Sequence, residues 1–154
     1  PCDYIIIMVN DERYGGGAIY NFYAVTSMHR LAEYVLPHEF GHSFGGLADE
    51  YVDEDLAYGQ LHVNDYEPLE PNITNLKDFD RKWKSMLPPG TKVPTPDNAD
   101  VPKSECGPLG VYEGAGYAHE GVYRPTMHCM MRDYAPFCPV CSQRLEEVFA
   151  LYAK

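Results

Sequence analysis

The sequence predicts a loop-rich α+β domain, and three observations carry that prediction. Strand-forming apolar runs open the chain, a segment with helical spacing follows them, and an amphipathic segment closes the chain after a long proline-rich stretch. Residues 4–9, Tyr-Ile-Ile-Ile-Met-Val, are continuous, apolar and rich in β-branched side chains, so a strand buried on both faces is expected there. A domain seldom opens with its central strand. The chain is therefore read as one domain, 1–154, belonging to a longer protein and lacking its N-terminal elements. Gly15, Gly16 and Gly17 interrupt the chain before residues 18–26, which alternate and predict a second strand. From about His29 the spacing turns helical through Leu31, Tyr34, Val35, His38 and His42. Pro37 inside this segment implies a kink or a late start, and Gly45-Gly46 supplies the stop. Between 53 and 126, prolines and Asp/Asn clusters break the pattern, leaving one short helix over 76–86. Val140, Leu145, Val148, Phe149 and Tyr152 share one face of a closing helix over 140–152.

Composition narrows the function classes. With 23 acidic and 12 basic residues the formal net charge is -11, which disfavours nucleic acid and anionic membrane surfaces as partners. No stretch approaches the roughly 20 apolar residues of a membrane span. Thirteen Tyr, 13 Pro and 13 Gly against one Trp fit long irregular connections packed by aromatic rings. Five cysteines are many for a reduced compartment, so secretion and disulfides are expected, with Cys129 joined to Cys138 or Cys141. The odd count leaves Cys2 for a partner upstream.

The chemistry concentrates in His38-Glu39-Phe40-Gly41-His42. Two imidazoles four residues apart lie on one face of a helix, one turn apart, where they can grip one metal ion. Glu39 follows the first of them directly, placed to take a proton from a water that zinc has made acidic. That is the constellation for peptide hydrolysis. A catalytic zinc also needs a third protein ligand beside an open position. The turn at Gly45-Gly46 swings the chain back, and Asp49 is the first residue after it with a ligand oxygen, with Glu50 as the alternative. His119 or His128 would substitute if neither serves.

The segment HEFGHSFGGLADEY at 38–51 resembles the signature of the IgA-peptidase family of secreted bacterial metalloendopeptidases, within the wider metzincin-like class. YIIIMVND at 4–11 with the glycines at 15–17 is similar to the strand and loop preceding the zinc helix in that family, and GVYRPTMHCMMRD at 121–133 resembles its methionine segment. The resemblance implies a metzincin-like zincin catalytic domain: a mixed sheet beside the active-site helix, a cleft taking extended peptide along a sheet edge, a methionine turn under the metal, and a C-terminal helix. Met131 fits that turn, with Met130 the alternative. The resemblance also implies one catalytic zinc ion, protein or peptide substrates such as host glycoprotein or immunoglobulin, and a secreted or cell-surface location. The chain departs from the commoner metzincin pattern in two places. The third ligand falls at Asp49 rather than at Ala48, and Asp133 stands where some metzincins carry a tyrosine, with Tyr134 one residue further.

Other features admit two readings each. Cys129, Cys138 and Cys141 with His128 could form a structural Cys3His zinc site instead of disulfides. Asp49, Glu50, Asp53, Glu54 and Asp55 could hold calcium or form a solvated acidic loop. Asn72-Ile73-Thr74 matches a glycosylation acceptor. For the whole chain, the reading is a zinc-dependent endopeptidase with Glu39 as general base. The alternative is a catalytically idle peptidase fold used for surface binding or adhesion, against which the intact Glu39 stands.

Overall fold

The computed structural model describes residues 3–53, 55, 66–98 and 100–153, so expectations for Cys2 and Glu54 lie outside the described residues. The chain forms two compact units, one of Pro1–Leu47 with Gln143–Lys154 and one of Ala48–Ser142. Helices and two small sheets of both strand senses make it an α+β protein.

The first unit carries strands β1 (Ile5–Val9), β2 (Gly16–Ile19) and β3 (Tyr23–Ser27) and helix α1 (Ala32–Gly45). The sheet order is β1-β3-β2, with β1 parallel and β2 antiparallel to β3. The central strand is therefore β3, whose Ala24 and Thr26 are fully buried. Two expectations are corrected here. The apolar run of β1 is an edge strand, and its five side chains are 42–56% exposed, because α1 packs across β3 and β2. Residues 18–26 are not one strand but the two arms of a hairpin. Asn21 adopts a left-handed φ of 57° at its turn and donates its backbone N–H to the Ser43 carbonyl at 2.7 Å.

Helix α1 begins well before Pro37, which sits in its interior and removes one rung of the hydrogen-bond ladder. Its apolar side holds Val35 against the sheet, and Phe40 stacks on Phe44 with centroids 4.7 Å apart. Tyr4 meets both rings edge-on, and Phe149 packs on them from helix α3 (Pro139–Tyr152). The closing helix is thus where the amphipathic pattern puts it. Its first residues belong to the second unit and the remainder to the first.

In the second unit, strands β4 (Tyr112–Ala115) and β5 (Ala118–Arg124) pair antiparallel around a bulge at Gly114. Ala48, Ile73, Ala115, Ala118 and Val122 form its apolar cluster. Residues 76–86 form no α-helix. Leu76 takes a left-handed φ of 66° and Lys82 a non-helical φ of -104° and ψ of -146°, which leaves two 3-10 turns, Phe79–Arg81 and Trp83–Met86. Asn72 is fully buried, donating to the Ala48 carbonyl and accepting the Ala48 N–H, so its side chain is spent on structure and closed to glycosylation. Asp49 and Glu50 are likewise interior, which overturns the solvated acidic loop for these two residues. No disulfide occurs among the described residues: Cys106, Cys129, Cys138 and Cys141 are free, and the Cys129 and Cys141 sulfurs stand 3.7 Å apart. A short helix α2 (Met130–Asp133) contains the fully buried Met131 and ends at Tyr134 in a left-handed conformation.

Candidate metal centre

Helix α1 sets the geometry of the first two candidate ligands. His38 and His42 stand one turn apart, and their Nε2 atoms face each other at 3.1 Å. Two nitrogens on a tetrahedral ion with bonds of 2.0–2.1 Å are separated by about 3.3 Å, so the two rings are spaced closely enough to share one cation, and at 3.1 Å they are also within hydrogen-bond reach of each other. The tautomer of His42 follows from its other nitrogen. Nδ1 lies 2.7 Å from the Leu47 carbonyl, which can only accept, so Nδ1 carries the proton and Nε2 of the neutral ring presents a lone pair. The helix end makes this contact possible. Gly46 adopts a left-handed φ of 64°, its N–H capping the Gly41 and His42 carbonyls, and the turn delivers Leu47 back to His42.

Glu39 lies on the sheet side of the same helix and is 9% exposed. Its carboxylate fills the space over Gly16 in β2, where an added Cβ would come within 2.6 Å of Oε1. Ser43, one turn on, donates its hydroxyl to the Glu39 carbonyl at 2.8 Å and also bonds the Tyr4 hydroxyl. Burial is the main cause that pushes the Tyr4 hydroxyl pKa up, and the negative charge of Glu39 adds to it.

Asp49, in the second unit, is buried and accepts a hydrogen bond from the Tyr117 hydroxyl on Oδ2. Its carbonyl accepts from the Gly116 N–H at 2.9 Å. Burial first, and then the Asp49 charge, drive the Tyr117 pKa far above its ordinary value, so Tyr117 is a fixed donor. The next residue ties this segment to the methionine segment: the Glu50 N–H donates to the Met131 carbonyl at 2.8 Å, and Arg132 Nη1 donates to the Glu50 carbonyl at 2.9 Å.

The family model for IgA Peptidase M64 matches residues 1–107 and 99–149. The chain belongs to the IgA peptidase M64 family. No curated protein matches it. Membership makes this M64 chain a peptidase, a hydrolase whose substrates are proteins. No helix among the described residues is long and apolar enough to cross a membrane.

The remaining candidates of this M64 protein are occupied elsewhere. The Glu50 side chain, the alternative to Asp49, is fully buried and accepts on Oε1 from Asn72 Nδ2 at 2.8 Å. His128 pairs through Nδ1 with Asp133 at 2.5 Å and through Nε2 with the Val101 carbonyl at 3.2 Å. His119 is exposed on β5. His29 Nδ1 accepts the Leu31 N–H. Two residues were not singled out by the sequence pattern. Gly16 reads only as part of a glycine interruption, and nothing around Tyr117 marks it as the partner of Asp49.

Proposed function

We propose that this M64 chain is a zinc-dependent endopeptidase in which His38, His42 and Asp49 hold the metal and Glu39 is the general base and acid. The observation that supports this most is the facing pair of Nε2 atoms at 3.1 Å, with His42 locked by the Leu47 carbonyl. Asp49 follows Leu47 by only two residues, a tether of at most about 7 Å, which suits it as the third ligand. Tyr117 fixes the orientation of its carboxylate. Met131 is proposed as the methionine turn, and both units as one metzincin-like catalytic domain. Bound at these residues, zinc would acidify a water and polarise the scissile carbonyl.

Glu39 takes one proton from the attacking water as the C–O bond forms. The same carboxyl then returns a proton to the departing amine as the C–N bond breaks. Its seat between α1 and Gly16 keeps it in one position for both transfers. Glu39→Gln should retain zinc by metal analysis and lose nearly all cleavage of a peptide library, whereas His38→Ala should lose both. A Glu39→Gln protein with wild-type turnover would overturn the assignment.

A further inference from the structure

We propose that the second unit contains a separate, structural zinc site formed by Cys129, Cys138, Cys141 and Glu50. The four donors lie within 4.8 Å of one another, and all four residues are fully buried. Cys129 caps α2, Cys138 immediately precedes α3, and Cys141 stands in the first turn of α3. Cys138 and Cys141 thus present a C-x-x-C pair that a helical turn aims in one direction.

The spacing identifies the occupant. The Cys129 and Cys141 sulfurs are 3.7 Å apart. A disulfide holds them at about 2.05 Å, whereas two thiolates on a tetrahedral zinc, each bonded at 2.3 Å, are separated by about 3.8 Å. The fourth corner is Glu50. Its Oε1 lies 3.3 Å from the Cys141 sulfur and accepts from Asn72, while Oε2 is buried with no hydrogen-bond partner among the described residues. A carboxylate oxygen withdrawn from water without a donor is costly, and a cation in the cluster relieves that cost. The buried Arg124 guanidinium attracts the Glu50 carboxylate, and Arg132 binds its carbonyl, which offsets the excess negative charge of three thiolates and a carboxylate.

A disulfide accounts for the cluster less well. It would need an oxidant, would use two of the three sulfurs, and would leave Oε2 of Glu50 as it is. Zinc binding involves no electron transfer: each thiol releases its proton to solvent as a Zn–S bond forms, and the carboxylate supplies the fourth bond. Four protein ligands leave no open position, so the site is structural, pinning α2 and the start of α3 to the segment that carries Asp49. His128, the fourth ligand considered from sequence, is instead held by Asp133.

The test uses the full chain with His38→Ala and His42→Ala, which removes the proposed catalytic site and leaves the cysteine cluster. Metal-free, reduced protein is titrated with Co2+ and then Zn2+. The expected result is one equivalent of Co2+ with sulfur-to-cobalt charge-transfer absorption, bleached by one equivalent of Zn2+. Glu50→Gln should weaken binding at least tenfold, and Cys138→Ser should abolish the absorption. No charge-transfer absorption in the double-histidine variant would overturn the proposal. So would an intact mass, taken without reductant, that is two hydrogens short and identifies a Cys129–Cys141 or Cys129–Cys138 disulfide. If the wild type binds no more metal than the single equivalent held by the double-histidine variant, the catalytic assignment falls and this one stands.

Discussion

Gly16 lies flush against Glu39: a Cβ at this position would stand 2.6 Å from Oε1 and 2.5 Å from Cγ1 of Val35. Both neighbours belong to α1, which the sheet holds in place, so the carboxylate is the softer of the two and would be displaced. Gly16→Ala should therefore lower kcat by roughly a hundredfold, the scale of a 1 Å misplacement of a reacting group. Zinc content should be unchanged, because His38 and His42 project from other positions of the helix. Steady-state kinetics beside metal analysis check this, and a variant with unchanged kcat would show that Glu39 needs no fixed seat.

Tyr117 fixes Asp49 through a side-chain hydrogen bond, and its ring packs edge-on against Tyr51 with centroids 5.3 Å apart. Tyr117→Phe keeps the ring contact and removes only the donor. If Asp49 is a ligand, losing this partner should weaken zinc binding about ten- to a hundredfold. Competition with a chromophoric chelator measures it. An unchanged affinity would remove Asp49 from the ligand set or Tyr117 from its support.

Features decided within one or two turns of chain were legible in the sequence. The facing histidines, the stop at Gly46 and the closing helix over 139–152 each follow from local spacing. Features decided by what packs on them were not. The run Ile5–Val9 is apolar enough for a central strand, but its exposure depends on where α1 lies. Residues 76–86 have helical spacing, yet Leu76 and Lys82 leave the helical region, Leu76 with its N–H donated to the Thr74 hydroxyl and Lys82 with its Nζ donated to the Pro68 and Glu70 carbonyls. Counting cysteines favoured a disulfide, since nothing near them in sequence announces Glu50 as their neighbour.

Gly46 joins the helix to the turn that restrains His42. An alanine there would have to hold a φ of 64° and would bring its Cβ to 2.9 Å from the Tyr20 ring. Placing an L side chain in the left-handed region costs about 1–2 kcal/mol, before any cost of displacing Tyr20. Gly46→Ala should lower the thermal midpoint accordingly. It should also weaken zinc binding, because the Leu47 carbonyl that holds His42 Nδ1 moves with the turn. Calorimetry and the same chelator competition test the two effects. A destabilised variant with wild-type zinc affinity would separate the cap from the metal site.

Trp83, the only tryptophan, is almost fully buried; it meets Phe79 edge-on at 5.2 Å and donates its indole N–H to the Gly110 carbonyl at 2.8 Å. Gly110 in turn donates its N–H to the Pro125 carbonyl, so the indole anchors the second 3-10 turn to the segment that leads into β4. Trp83→Phe keeps an aromatic ring but leaves the Gly110 carbonyl buried and unpaired, a loss of about 1–3 kcal/mol. Trp83→Ala adds the cavity and should cost about 3–5 kcal/mol. The exposed Leu69, 97% accessible, provides the control, since Leu69→Ala should fall within about 0.5 kcal/mol of wild type. Urea unfolding followed by far-ultraviolet circular dichroism ranks the three variants. Equal midpoints for Trp83→Phe and wild type would mean that the indole hydrogen bond contributes nothing and that ring packing alone holds the turn.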